Sequence, residues 1–151
     1  MDVDLVAEIQ SGQVPGLANE LQGEFYADPE MMLDALRHGR AFNVIHLASS
    51  YKIDIFPLGS DDYSREAFRR RRPSQTQAVG GELVDCIISS SEDTLLGKLR
   101  WYQAGGEVSE TQWNDLRGIL RVTGAQLDRE YLSQWAQRLG VADLLERLLR
   151  E

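Results

Sequence analysis

The hydrophobic period of this chain changes once, near residue 90. Before that point Val3, Leu5, Ala7 and Ile9 alternate, with Asp2, Asp4 and Glu8 between them, which is the period of a half-buried strand. After it Leu95, Leu99 and Tyr102 fall on one helical face, and helical spacing continues almost to the last residue. An all-helical bundle is disfavoured by the period-two runs at 2–9 and 51–56. The expected fold class is α/β (α+β): a small mixed sheet with helices over residues 1–90, then a helical half over 91–151.

Composition narrows the function classes. With 42% hydrophobic and 26% charged residues among 151, the chain has a globular balance. No run approaches the ~20 apolar residues of a membrane span, and the acidic start lacks the basic and apolar regions of a signal peptide. A single cysteine, Cys86, allows no internal disulfide, so a reduced, cytoplasmic protein is expected. The net charge of −8 argues against duplex DNA, whose non-specific binding requires many phosphates to be neutralised. Only Lys52 and Lys98 are lysines, and four arginines run consecutively from Arg69 to Arg72. Such a cluster reads as a solvated face or as a local contact for phosphate or an RNA strand.

The spacing predicts strands near 2–9, 41–48, 51–58 and 83–88. Ser49-Ser50 is the expected turn between the second and third, and Ser11 to Gly16 is a turn cluster. A short helix is expected through Leu17 and Leu21 to Phe25, and another after Asp28-Pro29, an N-cap and N1 pair. Residues 59–65 read as a loop and Arg65 to Arg72 as a short basic helix stopped by Pro73. Beyond 90, Ser90 with Asp93 and Ser109 with Gln112 read as capping boxes, Asp128 caps a third helix, and residues 142–150 form a fourth.

Asp2 and Asp4 are two apart on a strand and project from one face. Asp54 sits between isoleucines in Lys52-Ile53-Asp54-Ile55-Phe56, a costly position without a partner. Three carboxylates on one sheet face suit Mg²⁺, which takes oxygen ligands and bridges to substrate phosphates. On spacing alone Asp54 also reads as an arginine's partner, and Asp2 and Asp4 as a frayed end. His38 and His46 have no Cys or His cluster around them, so zinc is not expected. His46 reads as a packed, hydrogen-bonded side chain, Cys86 as an inert core thiol, and Trp101, Trp113 and Trp135 as core. There is no P-loop or nucleophile elbow.

Asp2-Val3-Asp4-Leu5-Val6, followed by Lys52-Ile53-Asp54-Ile55-Phe56, resembles the nucleotidyltransferase superfamily, with its Asp-x-Asp strand and third acidic residue on a later strand. More narrowly, the chain is similar to bacterial nucleotidyltransferase-like proteins related to the toxins of abortive-infection toxin–antitoxin systems. Glu92-Asp93-Thr94-Leu95-Leu96-Gly97-Lys98-Leu99 and the aspartate in Trp113-Asn114-Asp115-Leu116 carry that narrower likeness. The resemblance implies catalytic and Mg²⁺-binding roles for Asp2, Asp4 and Asp54 and nucleotide binding at Lys98 and Asp115, the latter orienting Lys98 by an ion pair. Without the resemblance, Lys98 reads equally as a snorkelling lysine and Asp115 as an exposed helix acid.

The superfamily places a Gly-Gly or Gly-Ser turn about ten residues before Asp-x-Asp, where close backbone approach helps to position phosphates. Here Asp-x-Asp begins at residue 2, so the sequence as written lacks that element. The expected function is binding of Mg-nucleoside triphosphate, with nucleotidyl transfer to RNA, protein or a small molecule reduced or lost. The alternative is a non-catalytic interaction module of a toxin–antitoxin-like pair. Apolar side chains left uncovered by the missing element, among them Val3, Leu5 and Phe25, predict a homodimer.

Overall fold

A computed structural model describes residues 2–77 and 80–151, with Asp2 described in its backbone only. The fold is mixed α and β, and the chain divides into two compact units, Met1–Phe68 and Arg69–Glu151. The division precedes the change of period at 90 because a hairpin belongs with the helices that follow it.

The first unit is built on a four-stranded sheet. Strands β1 (Asp2–Ala7), β2 (Phe25–Tyr26), β3 (Phe42–His46) and β4 (Lys52–Pro57) lie in the order β1-β4-β3-β2. β1 runs parallel to β4, and the other pairs are antiparallel. The connection from β1 to β4 carries helices α1 (Val14–Leu21) and α2 (Pro29–Arg37). α2 starts as the Asp28-Pro29 signal requires, with Asp28 accepting the backbone N–H groups of Glu30 and Met31. Val14, Met32, Ala35, Phe42, Val44 and Ile55 form the core, with Ala7, Leu17, Leu36 and Ile53 packed around it. Odd-numbered residues of β4 therefore face this core and even-numbered ones face away from it.

Several boundaries differ from expectation. β1 ends at Ala7 rather than residue 9, although Ile9 still packs on the core. α1 begins inside the expected turn cluster, since Pro15 fits the first turn of a helix. Phe25 leaves it to pair in β2, where its ring stands 5.1 Å from that of His46. The β3–β4 connection takes five residues, Leu47 to Tyr51, closed by Ser50 N–H on His46 O at 2.8 Å. His46 is half-buried and shares a 2.7 Å hydrogen bond with Ser49 Oγ. Helix α3 (Asp62–Arg70) starts three residues before the expected basic helix. Asp61 initiates it by accepting the Ser64 N–H at 3.0 Å.

The helix α3 ends at Arg70, two residues before its expected end, and an unforeseen strand follows it: β5 (Arg72–Gln77) pairs antiparallel with β6 (Leu83–Ile88). Pro73 fits β5 because it lies on an edge strand. Cys86 is not the expected core thiol; it is only half-buried, on a hairpin with exposed neighbours.

Four helices follow as the caps dictate: α4 (Ser91–Ala104), α5 (Glu110–Thr123), α6 (Arg129–Leu139) and α7 (Ala142–Leu149). Ser90, Ser109 and Asp128 each accept the expected first-turn N–H. Gly140 ends α6 at φ 72°, a left-handed cap that glycine adopts without Cβ strain. Leu95, Leu96, Leu99, Leu116, Leu132 and Leu148 are fully buried, as are most of Trp113 and Trp135. Trp101 is the exception among the tryptophans, at 61% exposed. Among the described residues no helix is long and apolar enough to cross a membrane.

Candidate functional site

The parallel register sets Asp4 beside Asp54 and Asp2 beside Lys52. Paired residues of neighbouring strands share a face about 4.8 Å apart, and for Asp4 and Asp54 it is the face opposite the helices α1 and α2. Asn43 of β3 stands opposite Asp54 on the other side. Asp4, Asp54 and Asn43 thus form a polar row across three strands, carried by positions alternating with the buried Phe42, Val44 and Ile55. Sequence reasoning missed Asn43, whose signal was only its parity within Phe42–His46.

Asp54 is half-buried and meets Lys52 two residues back, with Nζ to Oδ2 at 2.8 Å. Its partner is thus a lysine rather than an arginine. Asp4 is exposed and makes no ion pair among the described residues. The side chain of Asp2 lies outside the described residues.

These oxygens suit a hard divalent cation in kind. Among the described residues, however, no group of three or more His, Cys, Asp and Glu side chains gathers as a metal site would need. Of the three expected magnesium ligands, Asp4 and Asp54 are neighbours in the strand register, and Lys52 is seated on Asp54.

In the second unit Lys98 of α4 reaches Asp115 of α5, Nζ to Oδ2 at 2.9 Å, so the ion pair expected of these residues is present. Both side chains keep substantial exposure, and a Cβ on the neighbouring Gly97 would meet no atom within 4 Å. The ammonium is thus partly exposed beside Asp115.

A second cluster was not foreseen. Arg70 is engaged within its unit: its Nη2 donates to Glu92 Oε2 at 3.3 Å, and its Nε stands 3.4 Å from Asp93 Oδ2. Its guanidinium lies 3.8 Å from the centre of the Tyr131 ring. Asp93 also accepts the hydroxyls of Ser90 and Tyr131, both at 2.7 Å, and Glu92 accepts the Asp128 N–H at 3.0 Å. Burial pushes the Glu92 carboxyl up, but hydrogen bonds from the backbone of Asp128 and its own N–H and from Ser90, with Arg70 nearby, hold it below its ordinary value. Ser90, Glu92 and Asp93 are buried, so these charges bind the second unit together rather than face a ligand.

A cavity of about 500 Å³ in the second unit is lined by Tyr102, Trp113, Asn114, Arg117 and Arg147, among others. Beside it the Glu151 carboxylate accepts hydrogen bonds from Arg117 Nε and Trp113 Nε1. The Arg117 hydrogen bond leads in holding its carboxyl below the ordinary range. Neither Lys98 nor Asp115 lines this cavity.

No family model, curated protein or solved structure matches the chain.

Proposed function

We propose that the chain is a nucleotidyltransferase-like protein that binds Mg-nucleoside triphosphate, with Asp2, Asp4 and Asp54 as the cation's ligands. One observation carries this reading: two aspartates fifty residues apart in sequence are neighbours on parallel strands of a mixed sheet, on the face away from its helices. Bound there, Mg²⁺ would supply charge neutralisation for a triphosphate. The chain's own part is to fix the carboxylates on rigid strands, and one of them serves as the acceptor for the proton of an attacking hydroxyl. Lys98, paired with Asp115, is the residue to which the resemblance assigns a phosphate contact. The acceptor would be RNA, a protein or a small molecule, in the cytoplasm.

Titration calorimetry with Mg²⁺ and each of the four nucleoside triphosphates tests this. Binding by one or more that is lost in Asp54→Asn and weakened in Lys98→Ala is the expected result. Millimolar or weaker binding by all four removes the enzyme reading. The second reading, a non-catalytic module of a toxin–antitoxin-like pair, is favoured by the Lys52 ammonium already seated on Asp54.

A further inference from the structure

The β5–β6 hairpin carries its apolar residues in the open. Leu83 and Ile87 are 69% and 63% exposed, Val84 and Ile88 are about half exposed, and among the described residues β6 pairs with β5 alone. A two-stranded ribbon is marginal in water, and three or more strands sharing an apolar face are needed for stability. The two edges of this ribbon differ. β5 carries Arg72 and Pro73, a charge and a missing N–H that block further pairing. β6 has no proline, and its one charged side chain, Asp85, accepts a 2.9 Å hydrogen bond from Gln75 across the hairpin, which draws it toward β5. The open edge of β6 therefore has none of the usual protection.

We infer that β6 pairs antiparallel with β6 of a second copy of this chain, giving a four-stranded sheet ordered β5-β6-β6-β5. Symmetry narrows the register. A two-fold axis normal to the sheet keeps each face on its own side, so residues of like parity meet and one residue faces itself across the axis. With the axis at Asp85, two carboxylates would stand opposite each other, which is destabilising. With the axis at Cys86, two neutral thiols meet, Val84 faces Ile88 of the second copy, and Asp85 faces Ile87. The face holding Val84, Cys86 and Ile88 then runs apolar across the two central β6 strands, flanked on each side by Arg72, Ser74 and Thr76 of β5. The sequence pointed instead to Val3 and Leu5 of β1, which are exposed. That edge carries two aspartates in six residues, and pairing two such strands gathers four carboxylates.

Light scattering on the full chain should give the mass of two chains. Mild oxidation should yield a dimer reversible by thiol, necessarily through Cys86 because it is the only cysteine; directly opposed cysteines on antiparallel strands lie within disulfide reach. Cys86→Lys places two ammonium groups on the axis and should give monomers with an unchanged helical circular dichroism spectrum. Ile87→Lys faces Asp85 of the second copy and should remain dimeric, as should Leu5→Asp. A monomer for the unmodified chain overturns the inference. So does a dimer that survives Cys86→Lys or is lost in Leu5→Asp, and loss in Ile87→Lys overturns the register.

Discussion

The Lys52 ammonium stands 2.8 Å from the carboxylate of Asp54, the residue that β1 places beside Asp4. This pair sets the electrostatics around Asp54. A divalent cation reaching Asp54 must displace an ammonium that is covalently close and always present.

Lys52→Met is therefore expected to tighten Mg²⁺ binding roughly tenfold, a change of about 1.4 kcal/mol. Asp54→Asn should abolish it. Both side chains of the pair keep solvent contact, so unfolding free energy should change by less than about 1 kcal/mol in Lys52→Met. Calorimetry with Mg²⁺ alone reads the first effect and urea denaturation the second. Unchanged or weaker Mg²⁺ binding in Lys52→Met would show that the carboxylates of this face do not hold the cation.

The Arg70 cluster should behave as a unit. Arg70→Met leaves the buried Glu92 and Asp93 without their cation and should cost about 3–5 kcal/mol. Tyr131→Phe keeps the ring under the guanidinium but removes the hydroxyl that Asp93 accepts, at about 1.5–3 kcal/mol. Denaturant midpoints should fall in that order. Equal stability of Arg70→Met and the unmodified chain would return Arg70 to the solvated run.

Glu92 gives this cluster a pH dependence. Its carboxyl lies below the ordinary value of 4.5 in the folded chain, so the unfolded state binds more protons as pH falls toward that value. The stabilisation is fully present above the ordinary value and is lost as pH drops through the folded one. Stability of the unmodified chain and of Glu92→Gln should differ at neutral pH and converge in acid, which thermal melts between these limits would show. A constant difference across the range counts against a lowered Glu92.

How much of this was legible in sequence depends on whether a signal is local. Ser90, Ser109, Asp128 and Gly140 act within a turn of themselves, and the four C-terminal helices follow from them. The strand holding Asp4 was visible in its period, and so was the one holding Asp54. Their adjacency was expected but had no local signal, because it comes from parallel pairing across an intervening pair of helices. β5 was missed because Arg-Pro-Ser-Gln-Thr-Gln has no apolar alternation and becomes a strand only against β6. Arg70 could not be told from its three neighbours, since its partners lie 22 residues or more away. Asn43 entered only with the register of β3 on β4.

Leu99 and Trp101 show the same limit within one helix. Both were read as core, yet the stripe of Leu95, Leu99 and Tyr102 leaves Trp101 about 125° off the axis of the buried face. Leu99 is fully buried and Trp101 is 61% exposed. Leu99→Ala should therefore open a cavity and cost about 2–5 kcal/mol. Trp101→Ala, despite deleting a much larger side chain, should cost less than about 1 kcal/mol, in the range of surface substitutions. Urea denaturation of the two variants compares them directly, with the fluorescence change on Trp101→Ala adding a check: a solvent-facing indole removed from three should shift the mean emission to shorter wavelength. If Trp101→Ala destabilised as much as Leu99→Ala, the outer face of α4 would have to be packed.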